Sequence, residues 1–453
     1  MTKSADLKKR NVSIDRFRGI IIFLMILFQA LEYFPSLGVF SEVAVHSPDT
    51  FAKTAERIAE GFGGVFILPN MTLADLIASA FMFTIGLTLI KSYNNKAEKF
   101  GKKVADKMMM ERYLLILGVG MTMTGFENFV DFGPENFMDI TVLVLSAIVM
   151  ISGVIWFFTN KVFKCSDKMV NIFKSITKYS TLAIGIFGLI LSTVNFIMYV
   201  CGSETNLGLW DVFQHIGLAG FMAVLIMSFS KTNSTKYRTI AGFVTFAIFA
   251  IFHETTLPTL AGNTDITNNM LIAGRTVDGG FIGAFGYASI VLLSTVISDI
   301  YSKDVNKFRL ITFILAIPVA AVIIYVFKTF KPWDPNSTTL LTGGITKHLN
   351  INKDSISPAY LLITFFTSSL MFMIVDLFRN VKVKTRLFEM WGRNPLLLFI
   401  LQFIFVNILL EFVLNDFAAN ASLPVSIICG TALMALITFI SYLLYKNDKV
   451  IKI

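Results

Sequence analysis

Charged residues are few in this chain, and cysteines are fewer still. Asp, Glu, Lys and Arg make up 15% of the 453 residues, whereas 55% are hydrophobic. A water-soluble domain of this length could not bury so much apolar surface, so the composition excludes that class of protein. The three cysteines are Cys165, Cys201 and Cys429. Their wide spacing excludes a disulfide framework and a cysteine metal site, and we expect no metal.

Sequence motifs that mark several common enzyme classes are also missing. The chain contains no G-x-x-x-x-G-K-[ST] phosphate loop, no H-E-x-x-H zinc motif and no G-x-S-x-G nucleophile elbow. A chemical function therefore has to be sought in residues outside these motifs.

What the sequence does contain is a succession of apolar runs. Runs of about 18–22 residues are long enough to cross a hydrocarbon core of roughly 30 Å as helices. We predict an all-α, polytopic membrane protein of about twelve transmembrane helices, folded as a single domain over residues 1–453. The predicted spans are residues 18–36, 72–92, 112–127, 139–159, 178–200, 209–230, 238–255, 280–300, 308–328, 358–379, 394–414 and 423–445.

Basic residues fall in every second loop, including the N-terminal segment and the tail YKNDKVIKI, whereas the alternate loops are acidic or polar. Because cytoplasmic loops carry the excess of Lys and Arg, this alternation predicts that both termini are cytoplasmic. The net charge of +9 is then explained by topology, and we expect no nucleic acid partner. Two long outer loops are predicted, at residues 37–71 and 329–357.

Several polar side chains are predicted to share one depth in the outer half of the membrane. Polar groups inside a span usually have a function, so a proton-transfer site of carboxylate, amide and imidazole could assemble there. The candidates are Gln29 and Glu32 in the first span, Asp75 in the second, Asp211 and His215 in the sixth, and His253 at the end of the seventh. The remaining histidines, His46 and His348, fall in the long outer loops.

Each candidate also has a purely structural interpretation. Arg16 and Arg18, at the mouth of the first span, could anchor it at the cytoplasmic headgroups. Asp75 could interact with the positive end of its helix dipole. His215 and His253 could form hydrogen bonds between helices without any chemical role.

Five segments, in order along the chain, resemble motifs of the heparan-α-glucosaminide N-acetyltransferase family of transmembrane acyltransferases. SIDRFRGIIIFLMILFQ resembles the family's S-[LV]-D-x-F-R-G opening, and NMTLADLIASAFMF resembles its T-x-A-D-L motif. GLWDVFQHIGLAGF, SPAYLLITFFTSSLMFMIVDLF and LFEMWGRNPLLLF are similar to its later motifs, the last through Gly392 and Asn394.

This resemblance implies transfer of an acyl group, acetyl in the family, from cytoplasmic acyl-CoA to a sugar amine or hydroxyl across the membrane. The family's aspartate corresponds to Asp75, and its asparagine position is occupied by Gln29. The family's histidine is missing from its expected place in FGGVFILPNMT, and His215 stands where the third motif has arginine. The base would then be His215, His253 or His46, in that order, with Asp211 one turn from His215.

The expected coenzyme site contains Arg16, Arg18, Arg393 and Asn394, because guanidinium groups bind phosphates well. Expected partners are acyl-CoA, an extracytoplasmic glycan or envelope acceptor, the lipid bilayer and, as an open question, a second copy of the chain. The loop composition suggests a bacterial cell membrane. Two alternatives stay open: a twelve-helix secondary transporter and an acyltransferase relative without activity.

Overall fold

A computed structural model gives the structure of the protein, and it is helical almost throughout. It describes residues 11–32, 66–68, 71–72, 75–132, 137–161, 166–200, 212–230, 232–251, 253, 280–330, 356–381, 386–406, 409 and 414–447. The side chains of Gln29 and Glu32, and the whole of His46, Asp211 and His348, lie outside this description.

The described elements are numbered here in chain order. The helices are α1 (Val12–Glu32), α2 (Asp75–Phe100), α3 (Lys102–Phe132), α4 (Phe137–Lys161), α5 (Asp167–Val200), α6 (Val212–Ser228), α7 (Thr235–Ile251), α8 (Gly280–Lys303), α9 (Val305–Phe330), α10 (Pro358–Leu377), α11 (Leu387–Arg393), α12 (Pro395–Gln402), α13 (Asn415–Asn420) and α14 (Leu423–Lys446). Two short strands, β1 (Phe66–Leu68) and β2 (Met71–Thr72), pair antiparallel.

Five described helices are long and apolar enough to cross a membrane, which confirms the predicted class of helical membrane protein. They are Asp75–Phe100, Asp167–Val194, Gly280–Lys303, Pro358–Leu377 and Leu423–Lys446. Shorter apolar helices lie at Ile140–Trp156, Val212–Ser228 and Pro395–Val406. The number of twelve spans and the orientation of the termini stay predictions.

Helix α1 begins before the apolar run that predicted it. Asn11 explains this early start, because its Oδ1 accepts hydrogen bonds from the backbone N–H groups of Ser13 at 3.0 Å and Ile14 at 3.4 Å. Such an N-cap satisfies donors that have no partner within the helix. Asp15 in the first turn adds a favourable interaction with the helix dipole. The polar residues of SIDRFRG are therefore helical.

The chain divides into two compact units. Unit 1 comprises residues 1–87, 300–351 and 362–452, and unit 2 comprises residues 88–299, 352–361 and 453. Each unit has its own buried core.

In unit 1 the core forms around the inward face of α1. Phe17, Ile21, Ile22 and Ile26 are at most 1% exposed, which places them at the centre of the unit. Aromatic rings surround Phe17, with the ring of Phe83 at 6.1 Å and that of Phe372 at 5.6 Å. Burial of such large rings supplies much of the packing energy of this region.

In unit 2 glycines let α3 approach its neighbours closely. A Cβ built on Gly118 of α3 would lie 1.9 Å from the carbonyl oxygen of Thr181 in α5, and one on Gly185 of α5 would lie 2.4 Å from that of Leu114. On the other side, a Cβ on Gly217 of α6 would lie 2.6 Å from the backbone nitrogen of Leu117. Small residues at crossings are typical of membrane helices, whose association depends on close packing.

We predict that Gly118→Ala destabilises the protein, whereas Gly430→Ala does not. The added methyl group at position 118 would overlap a carbonyl oxygen, and such overpacking costs about 1–3 kcal/mol of unfolding free energy. Gly430 of α14 has no atom within 4 Å of its built Cβ, so alanine there gains about 0.5–1 kcal/mol from helix propensity. Thermal unfolding of both variants in one detergent tests this. Equal midpoints would contradict the close crossing of α3 and α5.

Candidate functional site

The first and last motifs named in the sequence analysis pack directly against each other in unit 1. A Cβ built on Gly19 of α1 would lie 1.9 Å from the carbonyl oxygen of Phe388 in α11. Reciprocally, a Cβ on Gly392 of α11 would lie 1.8 Å from the carbonyl oxygen of Asp15 in α1. Each helix therefore needs a glycine where the backbone of the other passes. The structure thus brings SIDRFRG and LFEMWGRNP together.

A break in the chain shapes the second half of this contact. Helix α11 has only 7 residues, ends at Arg393 and is followed by Asn394 with φ −128° and ψ 54°. Pro395 then opens α12. Proline lacks an N–H group and has a fixed φ, so it suits the first turn of a helix but not the interior. The sequence GRNP therefore ends one helix and begins another, and Asn394 is buried between them at 3% exposure.

Arg16 is held entirely by protein acceptors in this arrangement. Its Nε lies 2.9 Å and its Nη2 2.8 Å from Oε1 of Glu389. Its remaining bonds go to the carbonyl oxygens that follow α10, namely those of Phe378 at 2.9 Å, Arg379 at 3.1 Å and Val381 at 3.1 Å. The last carbonyls of a helix have no partner within it, and a cation there satisfies them and interacts with the helix dipole. Arg16 therefore links α1 to α10 and α11.

Arg18 lies one turn away from the same contact and pairs within its own helix. Its Nη2 lies 2.6 Å from Oδ1 of Asp15, and both side chains are partly buried. Arg393 stacks over the ring of Tyr445 in α14, with its Cζ 4.1 Å from the ring centre. The four residues expected to bind the coenzyme, Arg16, Arg18, Arg393 and Asn394, thus all lie at or next to the α1–α11 contact.

Asp376 is a functional candidate that the sequence analysis missed. This fully buried carboxylate of α10 accepts hydrogen bonds at Oδ1 from Ser13 Oγ at 2.8 Å and from Tyr301 OH at 2.6 Å. At Oδ2 it accepts from Arg309, whose Nη2 lies at 2.6 Å and whose Nε lies at 3.2 Å. Its partners belong to α1, α8 and α9. A buried charge is tolerated only when it is paired and hydrogen-bonded, and Asp376 meets both conditions.

The only local signal for Asp376 was a carboxylate at the end of the apolar run MFMIVDLF. Three donors from distant parts of the chain complete the cluster, and no spacing within the sequence relates them to Asp376. Pairing between distant residues cannot be read from periodicity in one sequence.

We predict that Asp376→Ala destabilises the protein by about 1–3 kcal/mol, because Ser13 and Tyr301 lose a buried acceptor while Arg309, whose side chain is 29% exposed, can still be solvated. Arg379→Gln is the matched control. Arg379 is 44% exposed and its Nη1 lies 4.0 Å from Asp376, and exposed pairs contribute only about 0–1 kcal/mol. Denaturant or thermal unfolding of the purified variants measures both. A loss for Asp376→Ala no larger than that for Arg379→Gln would refute a structural role for the cluster.

Unit 2 contains a comparable buried ion pair. Arg238 of α7 is 2% exposed and pairs with Asp299 of α8. Its other nitrogens donate to the carbonyl oxygens of Asn233 at 3.1 Å and Thr295 at 3.0 Å. The sequence analysis did not single out this residue either.

His215 lies in the core of unit 2. It is fully buried on α6, its Nε2 lies 2.9 Å from the carbonyl oxygen of Gly280, and its ring meets that of Tyr287 edge-on at 5.6 Å. Gly280 has a φ of 54° at the start of α8, a conformation that favours glycine. Because a carbonyl oxygen only accepts, Nε2 carries the hydrogen of this bond.

The neighbour of His215 on the same helix has a structural partner. Nε2 of Gln214 donates to Oγ1 of Thr124 in α3 at 2.7 Å. This bond joins α6 to α3 beside the histidine. The hydrogen bond to Gly280 fits the structural interpretation of His215 and a chemical role equally well.

The other candidates of the predicted reaction site are distributed over the two units. Asp75 opens α2 in unit 1 and is 1% exposed, a position that also suits an interaction with the helix dipole. His253 follows α7 in unit 2, is 5% exposed and has the ring of Phe249 at 5.6 Å. Gln29 lies near the end of α1. The meeting of these groups with His215 in one site stays a prediction.

Within the described residues, no three His, Cys, Asp or Glu side chains cluster as a set of metal ligands. Comparison of the chain with protein-family models and with curated proteins finds no match. The resemblance of its motifs to the acyltransferase family therefore stays a prediction, and the functional argument depends on the residues themselves.

Proposed function

We propose that the protein is a membrane-embedded acyltransferase. It transfers an acyl group, acetyl in the simplest case, from cytoplasmic acyl-CoA to a hydroxyl or amine of an extracytoplasmic glycan or envelope acceptor. The observation that carries the proposal is the reciprocal packing of Gly19 and Gly392. It joins two segments that resemble motifs of one acyltransferase family, although they lie at opposite ends of the chain.

At the donor end, the proposal assigns the phosphates of the coenzyme to guanidinium groups beside the α1–α11 contact. Arginine binds phosphate through paired N–H groups and keeps its charge at every physiological pH. Arg18 and Arg393 are the candidates for direct contact, together with the buried amide of Asn394. Arg16 would act indirectly, because its three nitrogens already hold Glu389 and the end of α10.

At the acceptor end, His215 would serve as general base. Its imidazole would take the proton of the acceptor hydroxyl or amine. The acceptor atom then bonds to the thioester carbon, the carbon–sulfur bond breaks, and the coenzyme leaves as a thiolate that takes up a proton. Gln29 would donate to the developing oxyanion, and Asp75 would tune the basicity of the base. Asp211, one turn away, would orient the ring of His215, and His253 and then His46 are the alternative bases.

We predict that acyl-CoA raises the thermal unfolding midpoint of the purified protein. A ligand that binds only the folded state stabilises it by about 2.7 kcal/mol at a concentration one hundred times its dissociation constant. Acetyl-CoA and longer acyl-CoA molecules should be compared with adenosine diphosphate and with pantetheine. The absence of a shift with any acyl-CoA would count decisively against the enzyme.

We predict that His215→Gln lowers acyl transfer by roughly 10²–10⁴-fold, the usual contribution of a general base, while acyl-CoA binding is unchanged. Glutamine can still donate to the carbonyl of Gly280 but cannot accept the proton. Gln214→Met is the control. Gln214 is on the same helix as His215, and its replacement removes the hydrogen bond to Thr124 of α3 while the imidazole is kept. Full activity in the His215, His253 and His46 variants would remove every proposed base.

A secondary transporter is the second candidate, and the break between α11 and α12 is the observation that favours it. Discontinuous helices often form the substrate site of a transporter. After α12, residues 403–406 form π-helical turns, which are also frequent at functional sites. A transporter predicts no stabilisation by acyl-CoA. An inactive acyltransferase relative predicts stabilisation without transfer, so the two assays together separate all three functions.

A further inference from the structure

Two arginines in unit 1 are held on one tyrosine. The guanidinium of Arg393 lies over the ring of Tyr445 with its Cζ 4.1 Å from the ring centre. Nη1 of Arg386 donates a hydrogen bond to the hydroxyl of the same tyrosine at 3.2 Å. A single side chain of α14 thus fixes two cations that lie at the two ends of α11.

The sequence explains why these three residues meet. Arg386 precedes α11 in a left-handed backbone conformation with φ 45°, and Arg393 is the last residue of the helix, so the two arginines flank α11. On α14, the buried residues Ile437 and Ser441 and the partly buried Tyr445 follow a four-residue spacing. This row faces the interior of unit 1, and its last member therefore reaches α11.

The surroundings of this group are positive. Arg386 is exposed, and Lys446 is exposed beside Tyr445. The hydrogen bond to Tyr445 raises the pKa of Arg386. Glu389 is the nearby carboxylate, and it accepts from Arg16 at 2.8 Å. Two guanidinium groups held beside one side chain create a positive potential that attracts an anion.

The chemistry of the three groups is complementary to a phosphate ester. Stacking on a ring engages the face of a guanidinium, while its N–H groups lie in the plane and match the oxygens of a phosphate. The hydroxyl of Tyr445 accepts from Arg386, and its own hydrogen can be donated to an anionic oxygen.

We propose that Arg386, Arg393 and Tyr445 form a binding site for a phosphate ester at the predicted cytoplasmic end of unit 1. Two sources share this chemistry, the phosphates of the acyl-CoA donor and the headgroup of an anionic phospholipid. In the first case the inference rests on the proposed function and adds Arg386 and Tyr445 to the donor site. In the second case it is independent of that function.

The test compares Arg386→Gln, Arg393→Gln and Tyr445→Phe with the wild-type protein, using two probes. Coenzyme A binding is measured by titration calorimetry in lipid-free detergent. Retention of phosphatidylglycerol, relative to phosphatidylcholine, is measured by native mass spectrometry. Lys103→Gln is the charge-matched control, because it also removes one positive charge and this lysine is exposed on α3. Unfolding midpoints are recorded for every variant.

We expect each arginine variant to weaken one probe at least tenfold, while the lysine control stays within twofold of the wild type. Tyr445→Phe keeps the ring under Arg393 but loses the hydroxyl, so we expect a smaller loss of roughly threefold to tenfold. A selective loss of coenzyme A binding assigns the nucleotide source, and a selective loss of phosphatidylglycerol assigns the lipid source. Arg386→Gln changes an exposed side chain, so its result stands even where Arg393→Gln fails to fold.

The inference is overturned when the arginine variants and the lysine control lose both probes equally, or when the wild-type protein binds neither probe. These outcomes are distinct from failure of the proposed function. Wild-type acyl transfer with unchanged probe binding in the arginine variants removes this site and leaves the acyltransferase standing. Phosphatidylglycerol binding that depends on Arg386, without any acyl transfer, keeps the site and removes the acyltransferase.

Discussion

The steric fit between α1 and α11 is the constraint on which the organisation of unit 1 depends. Helices that carry ordinary side chains pack with axes about 8–10 Å apart. At Gly19 and Gly392, by contrast, a carbonyl oxygen of the partner helix occupies the place of a Cβ. Only this close approach lets Arg16 of α1 reach both Glu389 and the carbonyls after α10. One geometric condition thus positions a whole set of polar contacts.

Polar groups inside this apolar chain are compensated in a consistent way. Asp376 and Arg238 are both buried, and each satisfies its charge with partners from other helices. Exchanging a buried ion pair for hydrophobic residues is often neutral or stabilising, so such pairs are weak evidence for stability alone. Their value in a helical membrane protein is specificity, because an ion pair that works in only one arrangement of helices disfavours the others. In unit 2 the hydrogen bond between His215 and Gly280 likewise favours one arrangement of α6 and α8.

The sequence predicts the class of this fold well and its contacts poorly. Apolar runs predicted membrane-capable helices, since hydrophobicity and length are local properties. The extra helical turn before the first run came from Asn11, which apolar periodicity does not register. For the candidate site, too, the sequence indicated some residues and missed others. The motifs around Arg16 and Gly392 were recognised in the sequence, but only the structure shows that they pack against each other. Asp376 was missed because its donors lie up to 363 residues away.

The link between Arg16 and Glu389 also governs how the chain can assemble during synthesis. These residues are 373 positions apart, and at about 5–20 residues per second the ribosome needs on the order of 20–75 s to travel from one to the other. For that interval α1 lacks both the helix that packs against Gly19 and the carboxylate that binds Arg16. The α1–α11 contact can form only after nearly the whole chain has been made, so the packing of unit 1 is completed late in biosynthesis.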